Sequence, residues 1–156
     1  MRFAVLNLCL LAAIAPISRA ADISFVRVWP EWREADSFMS ISEYITGREA
    51  TGGWTIFRTH KDSRAGFYFL ARISNPGPEA RGGTLFLQVI TPDSAFPKVF
   101  SFPADIPKGE HVFELGLTDG DWVGKRVHPV AWKVELRDPG GRTLAGKASF
   151  LWEKPE

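Results

Sequence analysis

Strict alternation of apolar residues is the feature that most restricts how this chain can fold. Residues 66–74 show it most clearly. In an extended chain, one side of this stretch carries Phe67, Phe69, Ala71 and Ile73. A period of two places such residues on one face of a β-strand. Because a lone strand would leave that face in water, the pattern predicts a sheet packed against a second layer.

Short strands of this kind recur along the chain. The predicted strands are residues 23–29, 54–59, 66–74, 84–91, 98–102, 111–117, 130–136 and 143–152. Turn-forming runs separate them, including Asn75-Pro76-Gly77-Pro78 and Asp138-Pro139-Gly140-Gly141. Pro97 and Pro103 flank strand 98–102 and predict a sheet edge, because proline cannot donate to a strand ladder.

Residues 36–46 form the segment in which we favour a short helix. Phe38, Ile41 and Ile45 recur at the spacing of one helix face. A strand is the alternative, because Met39, Ile41 and Ile45 also alternate. The segment is therefore expected to interrupt the strands after the first of them.

The last third of the chain, residues 98–152, carries a tryptophan strand, a tight turn and a returning strand. These are Trp132 in Ala-Trp-Lys-Val-Glu-Leu, the Asp-Pro-Gly-Gly turn, and Ala-Ser-Phe-Leu-Trp. This stretch resembles the closing strands of immunoglobulin-like and fibronectin-type-III-like sandwiches, at the level of fold alone. Together with the strand pattern, it implies an all-β protein: an antiparallel two-sheet immunoglobulin-like sandwich with one short helix near residues 36–46.

The first twenty residues have the parts of an export signal. Arg2 precedes a mostly apolar run over residues 3–14, and Ser18 and Ala20 place small residues before a cleavage point. The run is shorter than the roughly 20 apolar residues that span a bilayer. We therefore predict cleavage after Ala20, a periplasmic or secreted location, and a single sandwich domain over residues 21–156 with no membrane span.

Composition argues against several classes of partner. Cys9, in the leader, is the only cysteine, so the processed chain can form neither a disulfide nor a thiolate metal site. The 19 basic and 18 acidic residues nearly balance, and no block of five basic residues occurs. Because binding to phosphates needs clustered Lys and Arg, we predict no nucleic-acid partner.

No motif for catalysis or metal binding stands out. His60, His111 and His128 lack metal-ligand spacing, and whether they converge in the fold stays open. Asp119-Gly120-Asp121 is followed by cations rather than by the acidic positions of a calcium loop. No Gly-x-Ser-x-Gly nucleophile elbow occurs. We therefore predict no catalytic residue, no metal and no cofactor.

The tryptophans are the best candidates for a binding surface. Trp32 and Trp122 lie among charged residues in predicted loops, Arg126 follows Trp122, and Trp54 begins a strand. An exposed tryptophan can anchor a protein interface or stack on a sugar ring. The alternative is that Trp32 and Trp122 fold back over a sheet end.

The sequence thus predicts an exported, non-catalytic accessory sandwich that binds an envelope or extracellular protein. The first alternative is a carbohydrate-binding module that uses exposed tryptophans, and the second is a small metalloprotein or hydrolase. The identity of the partner and the oligomeric state stay open.

Overall fold

The computed structural model of the chain describes residues 22–39, residue 45 and residues 52–153. The predicted leader, residues 1–20, and its cleavage point lie outside these described residues. No helix among the described residues is long and apolar enough to cross a bilayer.

In the described part of the chain, eight strands form two sheets of four strands each. They are β1 Ser24–Arg33, β2 Thr55–Arg58, β3 Gly66–Asn75, β4 Ala80–Thr91, β5 Ser94–Ile106, β6 Gly109–Thr118, β7 Ala131–Arg137 and β8 Thr143–Ala148. The first sheet has the order β1-β3-β6-β2, and the second has the order β5-β4-β7-β8. The predicted all-β two-sheet sandwich is confirmed.

Strand β2 departs from the antiparallel prediction. With β2 set aside, β1-β3-β6 opposite β5-β4-β7-β8 is the A-B-E and C′-C-F-G arrangement of immunoglobulin-like sandwiches. β2 instead runs parallel to β6, with Thr55 opposite Phe113 and Arg58 opposite Gly116. β1 and β2 therefore run in the same direction at opposite edges of one sheet, and the 21 residues between them are long enough for the crossover that such an arrangement needs.

The core lies between the two sheets. The predicted inward residues of β3, Phe67, Phe69, Ala71 and Ile73, are fully buried. They share one cluster with Leu85, Leu87 and Val89 of β4, which are also buried. Trp132 of β7 meets Phe69 edge-on, with 6.1 Å between ring centroids. Alternation along the strands therefore builds the core as predicted.

Strand β5 is an edge strand, as the flanking prolines predicted, but it is longer than residues 98–102. It continues through both Pro97 and Pro103. Prolines are tolerated there because an edge strand needs ladder hydrogen bonds on one side only. The pairing with β4 also shifts register near Pro97, between the pairs Val89–Lys98 and Thr91–Ser94.

The helical segments are short. Ala35–Phe38 is a 3₁₀ helix, and Met39 is already extended. Most of the remaining predicted helix up to residue 46 lies outside the described residues. The predicted strand 143–152 is wrong after Ala148, because Phe150–Glu153 forms one α-helical turn. The hydroxyl of Ser149 accepts the Trp132 N–H, and the Ser149 carbonyl then accepts the Trp152 N–H.

Candidate functional site

Two of the predicted surface tryptophans belong to the core. Trp122 is only 6% exposed, because its ring stacks on Phe67 at 4.3 Å and its indole N–H donates to the Gly124 carbonyl. Trp32 lies within β1, opposite Phe67, and packs against the same cluster. Trp122 therefore follows the alternative in which its ring folds back over a sheet end, and Trp32 lies in a strand rather than a loop. Both rings close one end of the sandwich.

The other two candidates stay at the surface but lie apart. Arg126 is exposed in the turn between Gly124 and Val127, which follows the Thr118 end of β6. Trp54 is 41% exposed and lies beside Val112, near the opposite end of β6. The four predicted site residues therefore do not form one surface, and Trp54 borders a cavity.

The Trp54 cavity is an open depression on the outer face of the first sheet. Its volume is about 380 Å³, and it is lined by the Gly52–Gly53 turn, Trp54, Arg72, Glu110, His111 and Val112. Both glycines have positive φ, +60° and +87°, a conformation that other residues rarely adopt. This turn delivers the chain to β2 and sets Trp54 at the cavity wall.

One hydrogen bond joins the two strands that border the Trp54 cavity. Thr55 Oγ1 lies 2.8 Å from His111 Nε2 and so joins β2 to β6. Burial lowers the pKa of His111, which keeps the imidazole neutral near pH 7. Arg72 and Glu110 are both exposed and supply the cavity's two charged groups, one of each sign.

A closed aromatic cluster lies further along the same face. Phe38 packs on Tyr68 with 4.9 Å between ring centroids, and the guanidinium carbons of Arg33 and Arg58 lie 4.4 and 4.8 Å from the Phe38 centroid. Tyr68 donates its hydroxyl proton to the Arg64 carbonyl and accepts a hydrogen bond from Arg58 Nε. The 3₁₀ helix after β1 thus covers the outer face of β3.

Glu114 is buried under this cluster. It is 1% exposed, and one carboxylate oxygen accepts a 2.6 Å hydrogen bond from Arg33. The other oxygen, Oε2, is buried without a hydrogen-bond partner. Burial raises the pKa of Glu114, and the charge of Arg33 opposes that rise only in part. This is a structural ion pair sealed from water rather than an accessible site.

The second sheet ends in an exposed apolar row. This row consists of Phe96, Val130, Phe150 and Leu151. Thr91 at the end of β4 pairs with Ser94, the Val130 N–H donates to the Ile90 carbonyl, and the Ser149 N–H donates to the Trp132 carbonyl. These contacts place all four side chains at the same end of the sheet. Phe96 and Phe150 are 82% and 80% exposed.

Sequence patterning does not reveal the apolar row. Its members come from a hairpin tip, a loop end and the turn after β8. Phe150 and Leu151 also read as a continuation of a buried strand. The only local signal is a run of three adjacent apolar residues, Phe150-Leu151-Trp152.

The three histidines do not converge. The His60 N–H donates to Thr118 Oγ1, and His111 is seven residues earlier in β6, about 24 Å away at strand spacing. His128 contacts Phe67 edge-on. Within the described ranges, no group of three potential ligands could hold a metal ion. Asp121 pairs with His60 at 3.1 Å instead.

No protein-family model matches the sequence, and no curated protein is significantly similar to it. What the protein does is therefore inferred from its own surfaces and their chemistry.

Proposed function

We propose that this chain is an exported, non-catalytic β-sandwich that binds a protein partner through its apolar row. The observation that carries the proposal is the exposure of Phe96 and Phe150 at the same end of one sheet. The leader pattern in residues 1–20 supports export to the periplasm or beyond.

Burial of the apolar row would supply binding free energy. Each large apolar side chain contributes roughly 1.5–3 kcal/mol when it moves fully from water into an apolar contact. Single exposed apolar residues are ordinary on protein surfaces. Here four lie at one end of the second sheet, with Phe96 on the edge strand β5 and Phe150 just after the other edge strand, β8. Phenylalanine is also enriched in protein interfaces relative to other surfaces.

The partner docks on side chains rather than by adding a strand. The sheet has two edge strands next to the row. Pro97 and Pro103 of β5 have no N–H to donate, and β8 lies beside β1, where Lys147 Nζ donates to the Val26 carbonyl. Strand addition depends on an uninterrupted series of main-chain donors and acceptors. We therefore expect the side chains of the apolar row to insert into a hydrophobic surface of the partner.

Site-specific photo-cross-linking tests this proposal. A benzophenone amino acid replaces Phe96, Phe150 or, as the control, Lys108, which is exposed in the turn after β5 at the opposite end of the strand. The protein is expressed with its leader in its native host and irradiated. Positions 96 and 150 should cross-link to the same protein, and position 108 should not.

The purified partner then gives the quantitative test. The double change Phe96→Ser and Phe150→Ser should weaken its binding at least tenfold, about 1.4 kcal/mol, whereas Lys108→Ser should leave it unchanged. Equal cross-linking from position 108, or cross-links only to a second copy of this chain, would reject a hetero-partner at the apolar row.

The non-catalytic part of the proposal has its own test. Thr55 and His111 form a hydroxyl–imidazole contact between β2 and β6, the type of pair that nucleophilic hydrolysis uses. Purified protein should not hydrolyse ester or peptide substrates. Activity that disappears in Thr55→Val, with the fold retained, would make the protein a hydrolase.

A further inference from the structure

We infer that the Trp54 cavity is a second binding site and that its ligand is a neutral saccharide. Trp54 presents an exposed ring at the cavity wall, and Arg72 and Glu110 line the same cavity. This site lies on the first sheet and does not depend on the apolar row.

The tryptophan supplies the apolar half of saccharide recognition. A sugar ring has an apolar face of C–H groups, which packs on the flat surface of an aromatic ring. Trp54 is 41% exposed, whereas the residues of β2 that follow it are partly buried, so its ring is available for such stacking. The turn at Gly52 and Gly53 leaves open space there, since an added Cβ on either glycine would meet no atom within 4 Å.

The polar half comes from a balanced pair of charges. A sugar hydroxyl both donates and accepts, so it can donate to the Glu110 carboxylate and accept from the Arg72 guanidinium. Hydrogen bonds to charged partners are also stronger than those between neutral groups. Because His111 is neutral and the two charges cancel, the lining does not favour an anionic ligand over a neutral one.

The size and shape of the cavity set the expected affinity. At about 380 Å³, the cavity is near the lower end of the range of ligand sites, roughly 300–1,000 Å³. The cavity is open to solvent, so a chain of sugar units can extend beyond it. An open site with a single stacking ring predicts weak binding, with a dissociation constant of about 1 mM.

Nuclear magnetic resonance titration tests the inference. The processed protein is labelled with ¹⁵N, and its tryptophan indole signals are assigned by substitution. Four neutral probes are titrated, namely maltohexaose, cellohexaose, xylohexaose and chitohexaose, and trigalacturonate is the anionic probe. At least one neutral probe should shift the Trp54 indole signal and the Gly52 and Gly53 amide signals in a saturable way.

Substitutions link that binding to the cavity. Trp54→Ala should weaken it at least tenfold, and Trp54→Phe, which keeps a stacking ring, should weaken it less. Arg72→Met should weaken it as well, because it removes the donor fork. Phe96→Ser, on the second sheet, should leave it unchanged and separates this site from the apolar row.

Three results would overturn the inference. The first is that no neutral probe shifts the Trp54 signal at up to about 10 mM, ten times the expected dissociation constant. The second is tighter binding of trigalacturonate than of every neutral probe. The third is equal binding by a folded Trp54→Ala variant.

Discussion

Glu114 and Glu135 occupy matching places on the two sheets, yet their surroundings act on them in opposite directions. Each lies on the outer face of an interior strand, β6 or β7, and they are 1% and 8% exposed. Burial raises the pKa of Glu114, which accepts a 2.6 Å hydrogen bond from Arg33. Hydrogen bonds from Lys133 and Arg137 hold the pKa of Glu135 below its usual range.

The difference shows two ways to shelter the outer face of a sandwich. On the first sheet, Phe38 lies over the face and excludes water from Glu114. On the second sheet, Lys133 and Arg137 flank Glu135 at 2.5 and 2.6 Å, and Arg137 also covers the Phe86 ring. The outer face of the second sheet is thus kept polar. The apolar row at the end of this sheet is not covered by such charged side chains.

Removal of one arginine from each face should produce the largest difference in the free energy of unfolding between the two faces. Arg33→Gln leaves the buried Glu114 carboxylate unpaired and should lower the free energy of unfolding by about 3 kcal/mol at pH 7. Arg137→Gln leaves Lys133 beside Glu135 and should cost about 0.5 kcal/mol. Urea unfolding of both variants at equal protein concentration measures the difference.

The pH dependence of the free energy of unfolding of Arg33→Gln tests the direction of the Glu114 pKa shift. A carboxyl whose pKa is raised in the folded state favours folding when it is protonated, so its penalty grows as the pH rises through that raised pKa. The deficit of Arg33→Gln relative to the wild type should therefore shrink as the pH falls from 7 toward the ordinary glutamate pKa of about 4.3. A deficit that grows on acidification would show that Glu114 is not held in a water-free site.

Two glycines provide a matched pair of smaller changes. An added Cβ on Gly116 would lie 2.4 Å from a ring carbon of the fully buried Tyr68. Gly116→Ala should therefore cost about 1–3 kcal/mol through overpacking. Gly146 lies opposite Glu135 on the second sheet, and its nearest neighbour would be 3.6 Å away.

Gly146→Ala should accordingly change the free energy of unfolding by less than about 0.5 kcal/mol. Thermal unfolding of the two variants makes the comparison directly. Equal loss in both would mean that Tyr68 can move away from β6 and that the first face is not closed.

The apolar row should show the smallest effect on stability. Phe96→Ser combined with Phe150→Ser removes two rings that are almost fully exposed, so the free energy of unfolding should change by less than about 0.5 kcal/mol. Urea unfolding measures it. A loss of more than 2 kcal/mol would place these rings in the folding core and remove them as a binding surface.

Local patterning was sufficient to predict the sandwich. Alternation in residues 66–74 identified the inward face of β3, and the prolines at 97 and 103 identified an edge strand. Both are nearest-neighbour signals that follow from the period of a strand and the missing N–H of proline. These signals predict the fold without the exact side-chain contacts, because a core accepts many arrangements of apolar side chains of suitable volume.

Contacts between distant residues were beyond such patterning. Trp122 lies among polar neighbours, and its burial depends on Phe67, which is 55 residues earlier in the chain. The parallel alignment of β2 depends on where a long crossover ends. At the candidate sites, Trp54 was predicted from its residue type alone. The exposure of Phe96 and Phe150 depends on where strands end, and tertiary packing determines those ends.

A direct measurement of the two carboxyl groups tests whether one outer face is closed to water and the other kept polar. The side-chain carboxyl ¹³C signals of Glu114 and Glu135, assigned with Glu114→Gln and Glu135→Gln, are followed against pH. The pKa of Glu114 should lie above the ordinary glutamate value of about 4.3 and that of Glu135 below it. Coincident midpoints, or the reverse order, would contradict this description of the two faces.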